Sequence, residues 1–347
     1  VRNATGEANV TGDTHVTVTK YANELNDQKW VQYVLGGGKA MTNGTQTATA
    51  NVAGNTNVII GEQGAIGEAL DIQYGTVAGG GLARAQEGKG TATANVANAN
   101  VTVHSGILSG VAGGGIAENY GTGTADATVT GAANLTINGG TINGVKYKGV
   151  DTDKVKVAVL GGGIAKGTGA KATTPAANTI INGGTIKGHV VAGGLADGTD
   201  AKAEVTNANL TINGGEINGS VYAGGAALNG TADVTSFDVR ITGGTITDDV
   251  VAGNYTGEPS ATKLALLTST PKSPAGKGGT ITIGGDATIG GKVDASAEGV
   301  ATNVIIDGAD AQVTGGYEGN KYSTLTFNNY DGTFDNAAYG FGTLNVA

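Results

Sequence analysis

Between Val205 and Ala227 the chain reads VTNANLTINGGEINGSVYAGGAA, and its order of apolar and polar positions recurs through most of the sequence. Leu210 and Ile212 flank the polar Thr211, the period of two that marks a strand with one buried face. Asn213-Gly214-Gly215 then supplies a tight corner, because glycine reaches positive φ without steric cost. Ile217 and Val221 give the next inward side chains. A unit this short cannot bury its own apolar face, so the pattern demands copies stacked above and below.

Those copies are present. Equivalents of the Leu210/Ile212 pair fall at Val16/Val18, Val58/Ile60, Val101/Val103, Leu135/Ile137, Thr179/Ile181, Val239/Ile241, Ile281/Ile283, Val304/Ile306, Leu325/Phe327 and Leu344/Val346. Thr179 alone departs from the apolar rule. A second ladder reads Ile66, Ile107, Ile142, Ile186, Ile217, Ile246 and Ile289, and a third reads Val34, Val77, Val111, Val159, Val191, Val221 and Val251. Three ladders per repeat predict an all-β chain, a right-handed parallel β-helix with three strands per coil and about eleven coils. Strands stacked ~4.8 Å apart place those coils along roughly 50 Å. Unequal spacing between pairs predicts insertions that loop out while the stack continues.

Two further residue types recur in register. Glycine runs follow the third ladder (Gly36–Gly38, Gly79–Gly81, Gly113–Gly115, Gly161–Gly163), where the backbone turns sharply or two walls approach closely. Asn57, Asn100, Asn134, Asn178 and Asn209 precede the first strand of their coils and predict a hydrogen-bonded amide ladder rather than a ligand-binding row.

The spacing divides the chain into a body of wide, variable coils (1–254), a proline-containing protruding loop (255–280) and a short-coil end of the same β-helix (281–347). Polar stretches after the glycine runs, at 84–90, 118–124, 166–171 and 197–202, are expected to form one edge. Insertions fall at 21–33, 143–156 and 255–279. The first and last carry the candidate partner contacts: Tyr21, Trp30 and Tyr33, and Leu264, Leu266 and Leu267. Aromatic anchors and exposed apolar groups are what binding surfaces use, whereas a flat wall of Thr and Asn offers little relief.

Composition narrows the functional classes. Sixty-four glycines stand against four prolines without a collagen period. Twenty basic residues against twenty-nine acidic ones leave a net charge of −9, and the cations are scattered, so nucleic acid is not expected as a partner. No cysteine is present, which excludes a disulfide scaffold and a thiolate metal site and suits a chain exported unfolded. No apolar run is long enough for a membrane helix. The chain opens within the pattern at Val1, which reads as a segment of something longer. His15, His104 and His189 do not share a metal-ligand spacing, no G-x-S-x-G elbow occurs, and no cofactor is expected. Glu204 and Asp233 stack as neighbouring carboxylates, but Asp248-Asp249 has no acidic counterpart at Lys187 or Asn218, which disfavours polysaccharide cleavage. Asp331 and Asp335 read as a solvated turn.

The repeated N-L-T-I-N-G-G and V-x-A-G-G-G units, with Ser323-Thr-Leu-Thr-Phe-Asn-Asn-Tyr-Asp-Gly-Thr-Phe334 and Tyr339-Gly-Phe-Gly-Thr-Leu-Asn-Val346, resemble the passenger segments of bacterial autotransporters. That resemblance covers nearly the whole chain. It implies secretion as a right-handed β-helix ahead of an outer-membrane barrel, which would follow Ala347 and give the sole tie to a membrane. It further implies an extracellular location on the bacterial surface and a non-enzymatic role as adhesin or self-associating passenger. The partner would be a host or bacterial surface protein, a glycan or a second copy. The alternatives are a polysaccharide-binding or polysaccharide-cleaving β-helix, then a structural filament or spike.

Overall fold

The computed structural model describes residues 6–19, 32–63, 71–146, 156–256, 278–308, 310–330 and 337–346. Among these residues there is no helix, and the strands pair parallel except where Val145–Lys146 meets Lys156–Leu160, at the two ends of the insertion expected at 143–156. The chain is a parallel β-helix.

One coil shows the plan. Lys202–Ile212 is a long strand, Glu216–Ile217 and Val221–Tyr222 follow around two corners, and Ala226–Ala227 precedes the next long strand, Thr231–Ile241. The long strands stack into one thirteen-stranded sheet from Gly6–Val10 to Thr343–Val346. Every strand pair read from the sequence lies in it in register, from Val16/Val18 on Val58/Ile60 to Leu325/Phe327 on Leu344/Val346. Where a glycine pair follows a long strand, its second glycine sets the corner. Gly140, Gly184, Gly215 and Gly244 hold φ of +90°, +97°, +97° and +86°.

The other two ladders need correction at particular rungs. Ile142 pairs with Leu108 rather than Ile107, and Leu108 pairs in turn with Ile72; Ile66 lies outside the described residues. In the third ladder Val159, Val221 and Val293 align with Val190 and Val250, not with Val191 and Val251. Each error falls on an apolar doublet (Ile107-Leu108, Val190-Val191, Val250-Val251). Where both members are apolar, alternation alone does not say which points inward, and pairing with the neighbouring coil decides.

The three expected strands per coil enclose the Val/Ile/Leu core, and among the described residues six coils add a fourth. Lys39–Thr42, Leu82–Ala85, Ile116–Asn119, Ile164–Gly167, Leu195–Asp197 and Ala226–Ala227 form a second sheet behind the glycine runs. Its inward residues Ala40, Ala83, Ala117, Ala165 and Ala196 meet Ala50, Ala94, Ala127, Ala172, Ala203 and Ala232 of the long sheet in a cluster made of alanine alone. The coil is therefore two-lobed, wide where branched side chains fill it and thin where alanine does. The glycine run is the neck between the lobes. A Cβ on Gly163 would lie 3.0 Å from that of Ala172 and 2.6 Å from the Gly115 carbonyl oxygen. Glycine is required there by close approach of two walls.

After Tyr255 the alanine sheet ends and the coils shorten. Larger rings then fill the remaining lobe, with Phe327 edge-on to Tyr317 at 5.9 Å and to Tyr330 at 5.2 Å. The long sheet continues past this change without a break.

Two measurements test this packing. Gly163→Ala overfills the neck and is expected to cost about 1–3 kcal/mol in urea unfolding. Gly12→Ala, with no neighbouring atom within 4 Å of the added carbon, is expected to be near neutral. Thr179 sits in the core ladder between Leu135 and Leu210, 2 % exposed, with its hydroxyl unpaired among the described residues. Thr179→Val removes that buried polar group and should stabilise the chain by about 1 kcal/mol, raising the unfolding midpoint.

Candidate functional site

Chemistry-bearing side chains gather on the outside of the corner where the glycine run bends the chain. One wall is the strip before the run (Tyr33–Leu35, Asp71–Ala78, Ile107–Ala112, Lys156–Leu160, His189–Val191, Val221–Tyr222), and the other is the alanine sheet. Side chains alternate along a strand, so each wall shows a second face to the outside. Leu160 and Val191 from the first wall pack with Leu82, Ile116, Ile164 and Leu195 from the second. Both outer faces share one cluster, so the corner is re-entrant.

On the alanine sheet the outward position two residues past this apolar row carries charge. Arg84, Glu118, Lys166 and Asp197 stand in register on successive coils, alternating in sign, with Met41 before them. Opposite charges on adjacent strands stabilise a sheet, and like charges in one column would oppose it. Arg84 and Glu118 are the buried members, 9 % and 2 % exposed. The Arg84 guanidinium donates from Nε to Glu118 Oε2 at 2.5 Å, and its Nη2 meets the same oxygen. Burial acts to lower the Arg84 pKa, but the Glu118 charge and hydrogen bond outweigh it and raise it.

Tyr33 reaches this pair from the first wall. Its hydroxyl donates to Glu118 Oε1 at 2.7 Å and accepts from Arg84 Nη2 at 3.3 Å, while the guanidinium lies 5.5 Å from its ring centroid. Burial, then the Glu118 carboxylate, raises the Tyr33 phenol pKa, so it remains a donor. Tyr120 covers Arg84 from the rim, with the guanidinium 6.0 Å from its ring centroid, and remains 54 % exposed. Met41 is 48 % exposed on the same face.

At the other end of the corner His189, Tyr222 and Tyr255 pack as an aromatic trio, with centroids 4.9–5.4 Å apart. His189 Nδ1 accepts from the Ser220 backbone N–H at 2.9 Å, a hydrogen bond between adjacent coils. His15 and His104 serve elsewhere, each at one end of an asparagine ladder. The amide ladder expected from the sequence runs from Asn57 through Asn100, Asn134 and Asn178 to Asn209, with bonds of 2.9–3.1 Å. A second joins Asn138, Asn182 and Asn213 at 2.8 Å.

Of the six candidate contacts read from the sequence, Tyr33 alone is described, and the structure brings it to Arg84 and Glu118. Tyr21, Trp30, Leu264, Leu266 and Leu267 lie outside the described residues, as do Asp331 and Asp335. Arg84 and Glu118 open two stretches expected on an exposed edge, and their burial corrects that expectation for these two residues. The polar turn beyond each of them is exposed. Glu204 and Asp233 stack in register as expected, with Lys171 3.0 Å from Glu204. Among the described residues no three of His, Asp and Glu gather as metal ligands would. Compared with known families, curated proteins and solved structures, the chain matches none.

The ionic core of the corner is testable. Glu118→Leu alone strands a buried guanidinium and is expected to destabilise the chain by about 3–5 kcal/mol. Arg84→Met with Glu118→Leu restores an apolar pair and should recover most of that loss in the same denaturation measurement.

Proposed function

We propose that the chain is a non-enzymatic binding protein of the bacterial surface, an extracellular adhesin or self-associating passenger that meets its partner at the outer corner. The observation that carries this reading is the placement of Tyr120 and Met41. Both are exposed on a face where aromatic and charged side chains collect, and both flank a buried ion pair that fixes the local backbone. Tyrosine, methionine and arginine are the residues enriched in binding interfaces, and a rigid anchor loses little conformational entropy on binding. The partner is a surface protein or glycan. Glu118 favours binding over polysaccharide cleavage, because it spends its acceptor capacity on Arg84 and Tyr33. The sequence resemblance to autotransporter passengers supports the surface location.

The test is adhesion or clumping of cells displaying the chain. Tyr120→Ala with Met41→Ala should lower attachment about tenfold while the β-sheet circular dichroism signal is kept. Undiminished attachment by the folded double variant would remove the corner as the contact. Shortening of an added polysaccharide over time would replace binding with cleavage.

A further inference from the structure

Seven Asn-Gly dipeptides occur in the chain, at Asn43, Asn138, Asn143, Asn182, Asn213, Asn218 and Asn229. This is the dipeptide most prone to spontaneous loss of the side-chain amide, because glycine leaves its own N–H unhindered. The glycine nitrogen attacks the asparagine Cγ, forming a C–N bond and releasing ammonia as the Cγ–Nδ2 bond breaks. Water then opens the cyclic imide to aspartate or to isoaspartate, whose chain runs through the side-chain carbon. The attack requires a carboxamide that can turn toward the backbone and a glycine N–H that is not already donated.

The fold sorts the seven sites by those two requirements. Asn138, Asn182 and Asn213 form one amide ladder, each carboxamide held on both sides. Asn138 Nδ2 lies 3.2 Å from His104 Nδ1, Asn182 donates to Asn138 at 2.8 Å, Asn213 donates to Asn182 at 2.8 Å, and Thr242 donates to Asn213 at 3.1 Å. Asn229 Nδ2 donates to Asp197 Oδ1 at 3.1 Å. At Asn43 the protection is on the nucleophile, since the Gly44 N–H donates to the Glu87 carbonyl at 2.8 Å. Asn143, half-buried, shares a column with Asn218 across Lys187, and among the described residues its side chain likewise makes no hydrogen bond.

Asn218 differs from the five sites held in these ways. It is exposed at a corner between Ile217 and Gly219, and among the described residues its side chain makes no hydrogen bond and the Gly219 N–H makes no backbone one. Its column neighbours follow from the pairing of Ile217 with Ile186 and Ile246: they are Lys187 and Thr247, not asparagines, so the ladder that holds the preceding corner is missing here. Stacking does not distinguish the two corners. A Cβ on Gly219 would lie 2.8 Å from the Gly188 backbone, and one on Gly214 would lie 2.9 Å from the Asn182 carbonyl. The difference lies in the carboxamide alone.

We infer that Asn218-Gly219 is a site of spontaneous deamidation in the folded protein, and that the Asn138–Asn182–Asn213 ladder shields its own Asn-Gly bonds from the same reaction. Conversion to aspartate puts a carboxylate beside Lys187 and leaves the coil intact. Conversion to isoaspartate adds a backbone atom to a corner whose neighbours stack in strict register, so it loosens the contacts of the coils before and after it.

The experiment is a peptide map of the folded chain after incubation at mildly alkaline pH, with urea-unfolded chain as the reference. Conversion at Asn218 should run about tenfold faster than at Asn182 or Asn213, the factor expected where one net hydrogen bond must first break. In urea the three rates should converge. Thr242→Ala frees one side of Asn213 and should speed its conversion while leaving Asn218 unchanged. Equal rates at Asn218 and Asn213 in the folded chain would overturn the inference, as would an intact Asn218 while Asn213 converts. Asn218→Gln, which keeps an amide but closes the imide ring poorly, should abolish the signal at that corner without altering the fold.

Discussion

Everything in this molecule depends on parallel coils stacking without a shift of register. In a parallel sheet each strand satisfies its backbone groups on the strands of the coils before and after it, so residues alike in position become neighbours in space. That single constraint turns a sequence repeat into columns. Asparagine above asparagine makes an amide ladder, alanine above alanine makes a thin lobe, and glycine above glycine makes a neck. Each column is built chiefly from contacts between adjacent coils, which is why a sequence with one tryptophan and few aromatics can hold a core.

The thin lobe follows from the same geometry. Alanine buries little apolar area per residue, so its value lies in letting two walls come close enough for backbone and Cβ atoms to touch. Gly163 and Ala172 show the limit, since one more carbon at the neck meets both a side chain and a carbonyl of the preceding coil. With that lobe closed, the outer faces of the two walls bend toward one another and bury Leu82, Ile116 and Leu195 on the outside of the coil. The corner that carries Tyr33, Arg84 and Glu118 is thus a consequence of small residues on the inside.

Much of this was legible from residue order. Leu210 and Ile212 lead to the long sheet because each is flanked by polar residues, so one register satisfies the pattern. Ile107-Leu108 and Val190-Val191 gave the wrong rung because both members are apolar and both are accommodated, one inward and one outward or partly so. The amide ladder could be read from asparagines at a fixed offset from each pair. The buried ion pair needed one more step. Arg84, Glu118, Lys166 and Asp197 each stand three residues after a glycine that ends a run, and their alternating sign is visible in the sequence. Their burial is not, because it depends on the concave angle between two walls. Tyr33 could be picked out as an aromatic beside an insertion, but its partner on Glu118 lies two coils away and has no local signal.

Within one chain the repeats also separate what the fold requires from what it permits. Ala40, Ala83, Ala117, Ala165 and Ala196 hold the inward position of successive rungs without change. One residue further on, the outward position reads Met41, Arg84, Glu118, Lys166 and Asp197, a different side chain on every coil. Each coil touches chiefly its two neighbours, so a change at an outward position is felt over that short range and leaves the remaining coils untouched. A surface of this kind can be altered residue by residue at little cost to the fold, provided the charge of a new side chain is answered on the adjacent coil. Arg84 and Glu118 meet that condition where the corner is deepest, and Tyr33 joins them across it. The outward side chains of the corner are therefore separable from the alanine lobe beneath them, although both are written in the same short strands.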